Sequence, residues 1–90
     1  MRVRVSVYSM LREKLGWKHV DVELEGDRAT LREVLDRVPR LRELVVRDDG
    51  SFEEGFLVLI NGIHAQHLGG LDAEVRDGYE IDVFPPGGGG

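Results

Sequence analysis

The chain has 90 residues, 41% of them apolar, which makes one small domain with a modest core. Seventeen acidic residues against twelve lysines and arginines give a formal charge of −5, which argues against the basic surface of a general nucleic-acid binder. There is no cysteine, so a disulfide frame, a thiolate metal site and a cysteine nucleophile are excluded.

Val3, Val5 and Val7 alternate with Arg2, Arg4, Ser6 and Tyr8, the period of a strand with one apolar face. This alternation is unlike the continuous apolar stretch of a signal peptide, and nothing approaches membrane-spanning length. The expectation is a cytoplasmic protein with neither nucleic acid nor membrane as a direct partner. Ser9 is placed to cap a short helix, Met10 to Leu15, which Gly16 ends. Val20, Val22 and Leu24 then alternate with acidic residues in a second strand. Its polar face is acidic where that of the first strand is basic, so the two are expected to pair.

Gly26-Asp27 makes a turn, and Thr30 with Glu33 forms a capping box for the main helix. Leu31, Val34, Leu35 and Val38 follow at helical spacing. Pro39 stops or kinks that helix, and Leu41, Leu44 and Val45 continue in a second helical turn. After the turn at Asp48-Asp49-Gly50, the apolar run Phe56 to Ile60 reads as a central strand covered on both faces, or nearly so. Asn61-Gly62 is a strong hairpin signal, returning through Ile63-His64-Ala65. Asp77-Gly78 turns the chain into the last strand. There Ile81 and Val83 share one face, and Glu80, Asp82 and Phe84 the other. The result is an α+β roll, a mixed sheet of about five strands covered by one main helix.

Residues 1–84 are read as the folded domain and residues 85–90 as a flexible tail, Pro85-Pro86-Gly87-Gly88-Gly89-Gly90. Proline resists helix, and glycine leaves a thin backbone that takes any allowed conformation. A carboxylate on Gly90 is ionised at neutral pH. Other candidate sites carry less. His19, His64 and His67 lack ligand-like spacing, so no metal site is expected. Asp48-Asp49 and Glu53-Glu54 do not have the spacing of a calcium loop. Trp17 reads as core or as a lid over one end of the sheet.

Leu11-Arg12-Glu13 after the first strand, Ile60-Asn61-Gly62 in the centre, and Asp77-Gly78 followed by Glu80 to Pro86 and a Gly-Gly end resemble the MoaD/ThiS family. These are ubiquitin-like β-grasp sulfur carriers. The resemblance covers essentially the whole chain, and its most specific part is the aromatic-Pro-Pro-x-x-Gly-Gly terminus. Its nearest member type is the small subunit of molybdopterin synthase, with the archaeal ubiquitin-like modifier proteins as an alternative. Three positions depart from the family pattern. Tyr79 follows Asp77-Gly78 where a second Asp is common, Gly87 and Gly88 replace larger residues, and His64 replaces an apolar one.

The resemblance implies a carrier that is not itself an enzyme and binds no cofactor. A ubiquitin-activating-type enzyme, using ATP and Mg²⁺, would adenylate the Gly90 carboxylate and convert it to a thiocarboxylate. Gly87, Gly88 and Gly89 would be the slender stalk that enters the partner. That partner would be the large subunit of molybdopterin synthase or, for a modifier, target proteins joined through lysines, with or without sulfur supply for tRNA thiolation. Tyr8 and Phe84, two rings on an otherwise charged face beside the tail, would form the docking surface with His64, Pro85 and Pro86. Arg2 and Arg4 are expected to tie the first strand to Glu80 and Asp82 of the last. A β-grasp interaction domain with inert glycines is the remaining reading.

Overall fold

Val3, Val5 and Val7 lie on one side of strand β1 (Arg2–Val7), and all three are fully buried. The computed structural model, which describes residues 1–87, builds the rest of the domain on that row. Helix α1 (Met10–Leu15) leads to β2 (His19–Glu23) and β3 (Arg28–Thr30). Helices α2 (Leu31–Asp36) and α3 (Pro39–Val45) follow, then β4 (Leu57–Ile60) and β5 (Ile63–His64). Two short 3₁₀ turns, Ala65–Leu68 and Gly70–Asp72, precede β6 (Glu74–Arg76) and β7 (Glu80–Phe84).

The five-stranded sheet has the order β2-β1-β7-β4-β5. Its first and last long strands, β1 and β7, run parallel at the centre, and every other pair in it is antiparallel. The mixed sheet of the sequence reading is therefore present. Leu31, Val34, Leu35, Leu41 and Val45 from the helices close over Val3, Val5, Val58, Ile60, Ile81 and Val83 in one core. Each such side chain taken fully out of water contributes roughly 1.5–3 kcal/mol before the entropy of ordering is subtracted.

Local signals act where the sequence places them. The Glu33 amide donates to Thr30 Oγ1 at 3.2 Å, and the Thr30 amide donates to Glu33 Oε1 at 3.1 Å, so both halves of the capping box form. Gly16 ends α1 in the left-handed region, φ 86°. Asn61 and Gly62 have φ of 50° and 84°, the positive pair that a tight hairpin turn requires. Other features differ from expectation. Ser9 makes no side-chain cap, because its backbone is at φ 53° and turns the hydroxyl away from that role. Pro39 does stop the main helix as read, and it occupies the first turn of α3, where its missing N–H costs nothing. Strands β3 and β6 pair as a second, two-stranded sheet, three residues each, too short to show a period in sequence.

The charges of β1 also find different partners. Arg2 Nε donates to Glu23 at 2.6 Å and Arg4 Nε to Asp21 at 3.0 Å, both across to β2. The basic-against-acidic pairing of β1 with β2 thus holds, and the expected tie from these arginines to β7 does not. The reason is register: antiparallel pairing sets Arg2 opposite Glu23 and Arg4 opposite Asp21. Arg4 holds the Asp21 carboxyl below the ordinary aspartate range, chiefly through that hydrogen bond. Strand β7 is instead held to β1 by Ser6 Oγ donating to Glu80 at 3.3 Å and by the Tyr8 hydroxyl donating to Asp82.

Candidate functional site

The helices cover one side of the sheet, and the other side is open. Strand β7 lies at the centre of that open side, braced at its N-terminal end by two turns. Asp77 Oδ1 accepts from the Arg2 amide at 2.7 Å, and the Gly78 amide donates to the Arg2 carbonyl at 2.8 Å. Asn61 Oδ1 accepts from the Glu80 amide at 2.9 Å, while the Asn61 amide donates to the Glu80 carbonyl. The Asp-Gly and Asn-Gly signals therefore fix where β7 starts. Its length then fixes where Phe84 stands and where the chain leaves the sheet.

Val7 lies opposite Val83, which brings the next residues, Tyr8 and Phe84, side by side. Their rings stack with centroids 4.3 Å apart and planes 10° from parallel. Both residues are half-buried. The Tyr8 hydroxyl donates to Asp82 Oδ1 at 2.8 Å. The Arg12 guanidinium sits 4.9 Å from the centre of the Tyr8 ring, and its Nε donates to the Val7 carbonyl at 2.7 Å. Tyr8 is thus held by a stacked ring, a carboxylate and a cation, so little side-chain entropy remains to be lost on docking.

The hydrogen bond to Asp82 raises the Tyr8 pKa above its ordinary value, with burial and the charges of Asp82 and Glu80 adding to it. The neutral phenol is the form that donates. Its contribution to stability is fully present below the ordinary tyrosine pKa of about 10 and is lost as pH rises through the higher folded value. Tyr8→Phe should keep the stack and cost about 1 kcal/mol at neutral pH, the low end for a bond to a carboxylate at a partly exposed site. Urea unfolding across the alkaline range checks this. The wild type should lose a component of stability that the variant lacks, and parallel profiles would show that the bond contributes nothing.

Strand β4 is fully covered on one face only, where Phe56 to Ile60 were expected to be covered on both, or nearly so. Val58 and Ile60 are buried in the core, whereas Leu57 and Leu59 are half-buried on the open side. Leu57 lies opposite Phe84, and Leu59 lies between Asp82 on one side and His64 on the other. His64 is exposed at the sheet edge, its ring 5.4 Å from that of His67. Tyr8, Phe84, Leu57, Leu59 and His64 therefore run across four neighbouring strands as one partly apolar face. Sequence reasoning found its two rings and His64 but missed both leucines. The available signal was their odd-numbered alternation with Val58 and Ile60, masked because every residue in the run is apolar.

Beyond Phe84, Pro85 is half-buried and Pro86 and Gly87 are exposed. Gly88, Gly89 and Gly90 lie outside the described residues. Among the described residues no group of three His, Asp or Glu side chains could hold a metal ion, and no helix is long and apolar enough to cross a membrane.

The comparisons with known proteins agree with this geometry. A family profile described as "ThiS family" matches residues 5–90. Small archaeal modifier protein 3 of Haloferax volcanii is 31% identical over 93 residues, spanning 100% of both chains. The crystal structure of SAMP1 from Haloferax volcanii superposes with a TM-score of 0.81 at 32% identity, again over 100% of each chain. A chain in the crystal structure of the Amycolatopsis orientalis BexX/CysO complex is 29% identical, with a TM-score of 0.77, covering 98% of this chain and 99% of its own. With the match running from Val5 in β1 through Gly90, on a five-stranded mixed sheet, the chain belongs to the ThiS family of ubiquitin-like β-grasp sulfur carriers and modifiers.

Proposed function

We propose that this chain is a sulfur carrier activated at the Gly90 carboxylate by a ubiquitin-activating-type enzyme that uses ATP and Mg²⁺. The observation that carries this reading is a ThiS-family match extending to Gly90, behind a last strand that ends in a stacked aromatic pair. A carboxylate is a poor electrophile. Attack of its oxygen on ATP expels pyrophosphate and makes an acyl-adenylate, whose AMP leaves readily. A persulfide sulfur then takes the acyl carbon, and a second thiol cleaves the sulfur–sulfur bond, leaving the thiocarboxylate. This chain supplies the reacting terminus, the stalk and the docking face, and the partner supplies the catalytic groups.

Holding the tail in a channel costs about 1–2 kcal/mol per residue in backbone entropy. A preformed docking face offsets that cost. Tyr8, Phe84, Leu57, Leu59 and His64, continued by Pro85 and Pro86, provide it at the base of the tail. Gly87 to Gly89 keep the stalk narrow.

Incubation with an activating enzyme, ATP and a sulfur source should raise the intact mass by the difference between sulfur and oxygen. An unchanged mass under conditions that load another carrier would leave only the inert-domain reading. Two consumers suit the activated terminus, one through the thiocarboxylate and one through the acyl-adenylate. One is the large subunit of a molybdopterin synthase, which would pass the sulfur to a pterin precursor. The other is conjugation to protein lysines, with or without sulfur supply to tRNA, and full-length likeness to the Haloferax modifier protein favours it. Sulfur transfer to a pterin, or a ladder of conjugates, separates the two.

A further inference from the structure

After Leu57 and Phe84 the antiparallel ladder of β4 and β7 has no further pair. Proline has no N–H to continue it. The two segments nevertheless stay together, through a contact without a hydrogen bond. Gly55 has φ +87°, and a Cβ built on it would lie 2.8 Å from Pro86 Cβ, 3.2 Å from Pro86 Cγ and 3.4 Å from Pro86 Cα. The bare Cα of Gly55 is therefore the seat of the Pro86 ring. Real Cβ atoms do not approach so closely, and the obstructing atoms belong to a rigid ring and its backbone. Any side chain at 55 must displace the Pro86 segment.

We infer that Gly55 is a positioning residue for the tail: its missing side chain lets Pro86 dock against the loop before β4 and so sets the direction in which the chain leaves the sheet. The consequence for activation rests on the function proposed above; the seat itself does not. The docking face and the seat meet only at Pro86. Tyr8, Phe84 and Leu59 would fix where the partner binds, and Gly55 fixes the direction in which Pro86 leads away from the sheet. Changing the seat should therefore alter turnover more than binding.

Gly50 provides a matched control. It lies in the preceding turn with φ +86°, and a Cβ there meets nothing within 4 Å. Gly50→Ala thus carries the same left-handed strain as Gly55→Ala without touching the tail. In Gly55→Ala the NMR contact between residue 55 and the Pro86 ring should be lost, while Gly50→Ala retains the wild-type Gly55–Pro86 contact. With the activating enzyme, Gly55→Ala should keep KM within about twofold and lower kcat by roughly tenfold or more, since a small misplacement of a reacting group is costly. Gly50→Ala should match the wild type in both.

Equal behaviour of Gly55→Ala and Gly50→Ala, by contact and by rate, would overturn the inference, because position 55 would then answer to backbone strain alone. So would a Gly55→Ala protein that keeps the contact. If no enzyme activates the wild type, the proposed function fails, and the NMR comparison still decides whether Gly55 seats the tail.

Discussion

Deletion of Gly89 and Gly90 is expected to abolish the sulfur-for-oxygen mass increase completely while leaving the domain folded. Two residues shorten the reach of an extended chain by about 7 Å. Activation needs the attacking oxygen within about 3–3.5 Å of its target, so a carboxylate left on Gly88 would stop well short. No compensating slide is available, because Phe84 is held in register against Leu57 and by the stack on Tyr8. The fold should not respond, since the core residues reach no further along the chain than Val83. Urea unfolding of the deletion variant should agree with wild type within about 0.5 kcal/mol, as for a change outside packed structure. A truncated protein that still gained the mass would place the chemistry somewhere other than Gly90.

Phe84→Ala should weaken binding to the activating partner by about 2 kcal/mol or more, the range of a central aromatic anchor. That is roughly thirtyfold in Kd. The variant also loses the stack on Tyr8, worth about 0.5–1.5 kcal/mol beyond the area buried. Because the ring is half-buried on the open side, the fold should survive with a loss of about 1–2 kcal/mol. Calorimetric titration against the partner, with unfolding measured in parallel, separates the two effects. Full unfolding at moderate temperature would make Phe84 a core residue. Unchanged affinity would move the docking surface elsewhere on the molecule.

Much of this was legible in the sequence because it depends on neighbours along the chain. The Thr30–Glu33 box, the Asn61-Gly62 turn and the Gly16 stop each need only a few adjacent residues. The alternation of Val3, Val5 and Val7, and of Ile81 and Val83 against Phe84, identifies faces through the two-residue repeat of a strand. The opposite charges of β1 and β2 even announced their pairing. The expected tail lies partly outside the described residues, which end at Gly87.

What the sequence left open depends on residues brought together from far apart. An all-apolar run has no polar residue to mark its open side. Only the placement of α2 and α3 on one side of the sheet turned Leu57 and Leu59 into a continuation of the Tyr8–Phe84 face. Antiparallel register, not charge alone, gave Arg2 and Arg4 to β2 and left Asp82 free to accept from Tyr8. Nothing in the sequence separates Gly55 from other loop glycines; its role comes from Pro86 lying against its Cα. Local alternation determined that Tyr8 and Phe84 would stand on the polar faces of their strands. Packing across the sheet decided which leucines join those rings and which glycine gives Pro86 its seat, because both depend on separations that no spacing along the chain encodes.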